Sequence, residues 1–185
     1  MGKIAVIYKS KYGFTQKYAR WISEELKADL LEADKTKPAA LQGYDVIVYG
    51  GGLYAGGVSG ISLITKNFES IRTKSLFLFT VGAADVTDRH NIDAIRNSLN
   101  RVLTSEIQEK IKIYHLRGGM DYPRMSILHR TMMGMMLKML RKKPESELSS
   151  EEMMMIKTYR QKVDFTDPLK IAPLVEDIRA ITGPY

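Results

Sequence analysis

Apolar and polar positions alternate in blocks along the first two thirds of the chain. Residues 4–8 (Ile-Ala-Val-Ile-Tyr) form a short, continuous, β-branched run, the pattern of a strand buried on both faces. Residues 10–13 read as a turn. From Thr15 onward, Ala19, Ile22 and Leu26 recur at helical spacing. Leu30 and Leu31 mark a weak second strand, and residues 35–43, which hold Pro38, read as a polar loop. Residues 45–49 (Asp-Val-Ile-Val-Tyr) are a third strand, followed by a glycine-rich stretch and a short helix near 59–68. Residues 75–81 are a fourth strand, a helix is expected around 92–103, and residues 112–116 are a fifth strand.

Strands alternating with helices imply right-handed crossovers and a parallel sheet. Five such units in one chain fit an α/β, doubly wound, five-stranded sheet of order 2-1-3-4-5. No internal repeat or low-complexity linker interrupts it, so residues 1–185 read as a single domain. Its one decoration is an insertion at about 118–162, without strand-like alternation. The last helix follows, starting near Asp167-Pro168, an N-cap with proline at the first helical position. Pro173 inside that pattern predicts a kink or a later start.

A chain of 185 residues can bury a sizeable core without staples. It has no cysteine, which excludes disulfides, thiolate nucleophiles and cysteine-ligated metals. The three histidines, at 90, 115 and 129, lack metal-ligand spacing, and no metal is expected. No apolar run approaches the ~18 residues of a membrane span and no leader pattern is visible, so a cytoplasmic protein is the expectation. The net charge is +7, and residues 117–143 hold seven basic side chains against one acidic, so nearly all of the excess sits in the insertion. Ten of the eleven Met fall there too, between 120 and 155.

The loop Ser10-Lys11-Tyr12-Gly13-Phe14-Thr15 joins the first strand to the first helix. Open parallel sheets bind ligands outside the carboxyl ends of their strands, at the switch point beside strand one. Hydroxyls, a glycine and a helix N-terminus together make an anion site there. The same residues also suit a tight turn in which Thr15 caps the helix. Neither GxGxxG nor a Walker A loop is present. After strand three comes Gly50-Gly51-Gly52-Leu53-Tyr54-Ala55-Gly56-Gly57, whose backbone lets a planar ligand lie close while Tyr54 stacks on it. The loop after strand four, from Thr80, is also small. Three such loops at adjacent strand ends describe a pocket for a flat, phosphorylated ligand.

Ser10, Gly13 and Thr15 match the flavodoxin phosphate loop (S/T)-x-T-G-x-T, with Tyr12 in place of the middle Thr, and the chain resembles that family. The resemblance implies FMN as cofactor. Ser10, Lys11, Tyr12, Gly13, Phe14 and Thr15 would hold its phosphate. Gly52, Leu53, Tyr54, Ala55 and Gly56, with Thr80, Val81 and Gly82, would flank the ring.

In the insertion, Met125, Leu128, Met132, Met133, Met135, Met136, Met139 and Leu140 gather on one broad face of a helix over residues 125–143. Arg124, Arg130, Lys138, Arg141 and Lys142 lie opposite, with Ile127 and His129 as exceptions. Such a helix either packs its Met stripe on the sheet, or meets an anionic membrane surface or a hydrophobic ligand. Nucleic acid is not expected, since aromatic interleaving is absent. Tyr122-Pro123-Arg124 followed by this helix resembles the flavodoxin-like, quinone-linked protoporphyrinogen dehydrogenases. That resemblance implies oxidation of a hydrophobic tetrapyrrole, with electrons passed to a quinone at the membrane surface. Tyr122, Arg124 and the Met face would contact substrate, and no side chain would perform acid–base catalysis. Two alternatives stand beside it: an FMN carrier or quinone reductase, and a non-catalytic surface-binding module. A homo-oligomer is left open.

Overall fold

The computed structural model describes residues 2–54 and 57–183. Five parallel strands form the sheet: β1 (Ile4–Lys9), β2 (Asp29–Glu32), β3 (Val46–Tyr54), β5 (Ser75–Gly82) and β6 (Ile111–Arg117). Their order is β2-β1-β3-β5-β6, which is the expected 2-1-3-4-5 sequence of parallel strands. A sixth, β4 (Gly57–Val58), runs antiparallel to the end of β3, pairing Val58 with Leu53 and Gly57 with Tyr54. The third strand therefore runs five residues past the end the alternation suggested, and Gly50, Gly51 and Gly52 lie inside it.

Both faces of the sheet are covered, which is why its strands read as continuous apolar runs. On one face α1 (Phe14–Leu26) and α8 (Ala172–Thr182) enclose Val6, Tyr18, Ile22, Val48, Phe79 and Ile178, all fully buried. On the other, the short helices α2 (Ser62–Thr65) and α3 (Phe68–Ile71) pack with α4 (Arg89–Leu99) and α5 (Ser105–Lys110) over Ile7, Ile47, Tyr49 and Leu78. The buried Tyr18 ties the layers together: its hydroxyl donates to the Arg117 carbonyl at 2.7 Å and accepts from the Asp167 N–H at 3.1 Å. Asp167 does cap a turn, through the Leu169 N–H at 2.9 Å, but the turn is 3-10 and α8 begins only at Ala172, with Pro173 in its first turn.

The insertion contains strands after all. β7 (Gly119–Asp121) pairs antiparallel with β8 (Lys162–Asp164), closing the neck of the insertion. Three-residue strands are too short to show alternation. Between them stand α6 (Ile127–Leu140), capped by Ser126 through the His129 N–H, and α7 (Ser150–Lys157). The Ser149–Glu152 capping box that opens α7 was a start signal in the sequence that periodicity alone passed over. Among the described residues, no helix is long and apolar enough to cross a membrane.

One buried contact carries a pH signature. His115 on β6 shares a 2.8 Å hydrogen bond with the buried Thr80 hydroxyl on β5. Burial first, and Arg96 second, lower the imidazole pKa to about 4. The folded chain therefore refuses a proton that the unfolded chain accepts below ~6.5. Stability from this group is complete above that value and is lost as pH falls towards 4. The side chain is only half-buried, so the loss is discounted to about 1–2 kcal/mol. Urea unfolding at pH 7 and 4.5 should show a shallower pH dependence for His115→Gln than for the wild type.

Candidate functional site

The site grows from the end of β1. The Ser10 hydroxyl accepts the Gly13 N–H at 3.0 Å, folding the loop back on itself. Gly13 sits at the helix N-cap with φ +95°, a left-handed backbone that glycine adopts freely. Among the described residues no side chain caps α1, so the Thr15 capping alternative is overturned. The first intrahelical bond is Lys17 N–H to the Gly13 carbonyl, 3.0 Å, leaving the N–H groups of the first turn aimed out of the sheet's carboxyl edge. Thr15 is buried, and its Oγ1 lies 3.4 Å from where a Cβ on Gly52 would stand. The helix end and the tip of β3 thus meet closely.

A cleft of about 250 Å³ opens above these elements. Its floor is Ser10, Lys11, Tyr12, Phe14 and Thr15, with Gly52, Leu53 and Tyr54 from β3, Val81 and Gly82 at the end of β5, and Ala83 just after it. Ser59 closes one side, its N–H held by the Gly52 carbonyl at 2.9 Å. The roof comes from the insertion: Gly119 and Met120 at the neck, then Met125, His129, Met132 and Met133. A side chain at Gly119 would collide with the Phe14 ring, at 2.8 Å, so the neck rests directly on the first turn of α1.

A polar cluster fastens the roof to the floor. Nδ1 of His129 lies 3.0 Å from the Tyr54 hydroxyl, 2.7 Å from the Ser126 hydroxyl and 3.5 Å from the Lys11 ammonium. The Tyr54 and His129 rings meet edge to face at 4.8 Å, and the Lys11 ammonium lies over the Tyr54 ring at 4.5 Å. At the back, Arg117 holds the Asp85 carboxylate at 3.0 Å and stacks on Phe165 at 4.2 Å. Hydrogen bonds from Thr87, then the Arg117 charge, keep the Asp85 carboxyl below the usual carboxylate range.

The expected residues fall into three groups. Ser10, Lys11, Tyr12, Phe14, Thr15, Gly52, Leu53, Tyr54, Val81 and Gly82 line the cleft, and Gly13 shapes its loop. Ala55 and Gly56 lie outside the described residues. The rest are placed elsewhere. Thr80 is 1% exposed and turned to His115, and Ala83 takes the place expected of it in the cleft. Tyr122 is buried edge-on against Tyr159, its hydroxyl without a hydrogen-bond partner among the described residues, and Arg124 is exposed; neither borders the cleft. His129, Ser59 and the neck residues went unnoticed as cleft residues, since only the fold brings them over the loops.

The broad Met face of α6 divides. Leu137 and Leu140 are buried, Met133 and Met136 half-buried, while Leu128, Met132, Met135 and Met139 are exposed. A packed arc, with α6 against α7, and a solvent-facing apolar row are therefore both present on one helix.

A family model described as a flavodoxin domain matches residues 5–147, from β1 through α6. The chain belongs to the flavodoxin family. It is similar to the uncharacterized protein MJ0298 of Methanocaldococcus jannaschii, 40% identical over 55 residues, which is 29% of this chain. That match spans only 37% of the relative's length. Among solved structures it is similar to the WrbA-like flavodoxin of Agrobacterium tumefaciens (21% identity, TM-score 0.43, 62% of this chain and 83% of that one). It is also similar to a flavoprotein from Lactobacillus acidophilus solved in complex with FMN (16%, TM-score 0.42, 63% and 93%).

The cleft fits FMN, the cofactor this family membership brings. An uncapped helix N-terminus, the Ser10 and Thr15 hydroxyls and a glycine turn stand where a phosphate is received, and none of the lining residues is acidic. Leu53 and Val81 face the Met side chains of α6 across a slot that suits a flat ring. The protein is a flavodoxin-like, FMN-binding flavoprotein.

Proposed function

We infer that this flavoprotein is an oxidoreductase that exchanges electrons with a hydrophobic small molecule admitted under α6. FMN supplies the electron- or hydride-transfer chemistry when bound. The chain's residues do the rest. The first turn of α1, with Ser10 and Thr15, anchors the phosphate. Leu53, Tyr54, Val81 and Gly82 position the ring. Met125, Met132 and Met133 exclude water and offer a soft, adaptable surface to an apolar partner.

One observation carries this reading: the roof of the cleft is built from methionine side chains of α6. A carrier that docks other proteins needs an open flavin edge, whereas here methionine side chains line the cleft where a flavin would be held. The finer version takes protoporphyrinogen as substrate and a quinone as acceptor. It draws support from the Tyr122-Pro123-Arg124 turn and the basic Met helix. Because Tyr122 and Arg124 stand away from the cleft, contact with that substrate would fall to the Met side chains and His129. The flavodoxin-like electron carrier fits the phosphate loop equally well and is separated by turnover.

The test has two stages. FMN titration should shift the flavin bands and saturate at one equivalent. The reduced, FMN-loaded protein should then pass electrons to a water-soluble quinone analogue faster than free reduced FMN does. Failure of FMN uptake overturns the cofactor site. Uptake without any gain over free flavin leaves a carrier. Growth of porphyrin fluorescence from protoporphyrinogen, above the rate without protein, selects the finer version, and its absence removes it.

A further inference from the structure

On α6 the residues Leu128, Met132, Met135 and Met139 follow at i, i+4, i+7 and i+11, which makes one continuous stripe. They are 67%, 54%, 60% and 70% exposed, and Ile127 at the helix start is 82% exposed. The buried arc of the same helix, Leu137 and Leu140 with Met133 and Met136, is already covered, with α6 packed against α7, so packing makes no use of the outer stripe. Single exposed apolar residues are ordinary, but an aligned row this long marks an interaction surface.

The charges beside the stripe say what covers it. At 100° per residue, Lys142 and Lys138 border the row on one side, and both are exposed, while Arg141 lies far round the helix, its guanidinium over the Tyr159 ring at 5.8 Å. Among the described residues neither lysine forms an ion pair; Lys143, in the turn beyond, is held by Glu152 at 2.8 Å. From residue 122 to residue 144 the chain carries no carboxylate at all. A second copy docked stripe to stripe would bring like charges together. A bilayer with anionic lipids offers what both features need, an apolar layer edged by phosphates.

We propose that α6 seats this flavoprotein on an anionic membrane surface. Leu128, Met132, Met135 and Met139 enter the boundary between headgroups and acyl chains, while Lys138 and Lys142 meet lipid phosphates. An interfacial helix sinks only about 5–10 Å, which the outer arc alone can do without unfolding the inner one. Met132 both belongs to the stripe and lines the cleft. The mouth of the cleft therefore opens at the lipid boundary, where a lipid-soluble redox partner dissolves. This last step rests on the function inferred above; the docking itself does not.

The experiment is co-sedimentation of the FMN-loaded full chain with vesicles of phosphatidylcholine, with and without a quarter phosphatidylglycerol. Binding is expected with the anionic vesicles, weakly or not at all with the neutral ones, and it should fade as salt is raised towards 1 M. Replacing Lys138 and Lys142 together by Gln should weaken it roughly thirtyfold. Replacing Leu128, Met135 and Met139 together by Gln should weaken it at least tenfold. Those three side chains are outside the cleft and exposed, so FMN content should stay at the wild-type level in that variant, which separates lost docking from a lost cofactor site. The proposal is overturned if anionic vesicles leave the protein in solution, or if binding survives both sets of replacements. It is equally overturned if light scattering shows a dimer that the apolar triple dissociates and that ignores vesicles, because the stripe then belongs to a second copy.

Discussion

Ser10→Asp is expected to weaken FMN binding by about a thousandfold or more while leaving the apoprotein at least as stable as the wild type. Ser10 is half-buried at the mouth of the loop, and its hydroxyl accepts the Gly13 N–H at 3.0 Å. A carboxylate at the same place can accept that N–H, and it gains from the positive end of α1, worth about 0.3–1 kcal/mol. It also stands where a phosphate must come. Two unit charges about 4 Å apart repel by about 4 kcal/mol at an effective dielectric of 20, which is roughly three decades of affinity. Ser10→Ala serves as the neutral comparison. It removes one hydroxyl and one turn bond, so affinity should fall only about tenfold, with a slight loss of stability. Flavin fluorescence quenching gives both affinities, and thermal unfolding of the apoproteins gives both stabilities. Were Ser10→Asp to bind FMN within tenfold of the wild type, the phosphate does not lie at α1.

That experiment targets the part of the site most legible in the sequence. A helix that starts on Gly13 with no capping side chain still announces itself through the strand before it and the periodicity after it. The sheet was legible for a related reason, since strands buried on both faces leave no polar interruption. The roof was not. Whether His129 points at Tyr54 or at solvent depends on how α6 is rolled about its axis. That roll brings His129 to Tyr54 and Lys11, contacts between residues far apart in the chain. Thr80 failed for a subtler reason. A loop residue and the last inward residue of a strand look alike in sequence, and the β5–β6 register, Thr80 opposite His115, decides that its hydroxyl is spent on the imidazole. Tyr122 and Arg124 were assigned by resemblance, and the 3-10 turn carrying them, held by the Asp121 carboxylate at the Arg124 N–H, 3.2 Å, faces away from the cleft.

The glycine run teaches most, because its first members serve packing and only its third serves the site. Gly50 pairs with Phe79 across β3 and β5, and a Cβ built on Gly50 would stand 2.1 Å from the Phe79 Cζ. The phenyl ring, fully buried, occupies the space that glycine leaves. A Cβ on Gly51 would likewise strike Val58, also at 2.1 Å, whereas Gly52 has room and borders the cleft. Gly50→Ala should therefore cost about 3 kcal/mol of stability, the upper end of overpacking, because the ring can escape only into a core already filled. For a chain of this size that lowers the melting temperature by about 6–12 °C. Phe79→Leu alone should cost about 1–2 kcal/mol through the lost volume. In the double variant the smaller side chain vacates the very space the methyl needs, so the two losses should not add. A total below that of Gly50→Ala alone is the expected sign of direct contact. Strict additivity in urea unfolding would show that the ring does not sit on Gly50. The same double variant should take up FMN once folded, since the cleft begins two residues further along the strand, at Gly52.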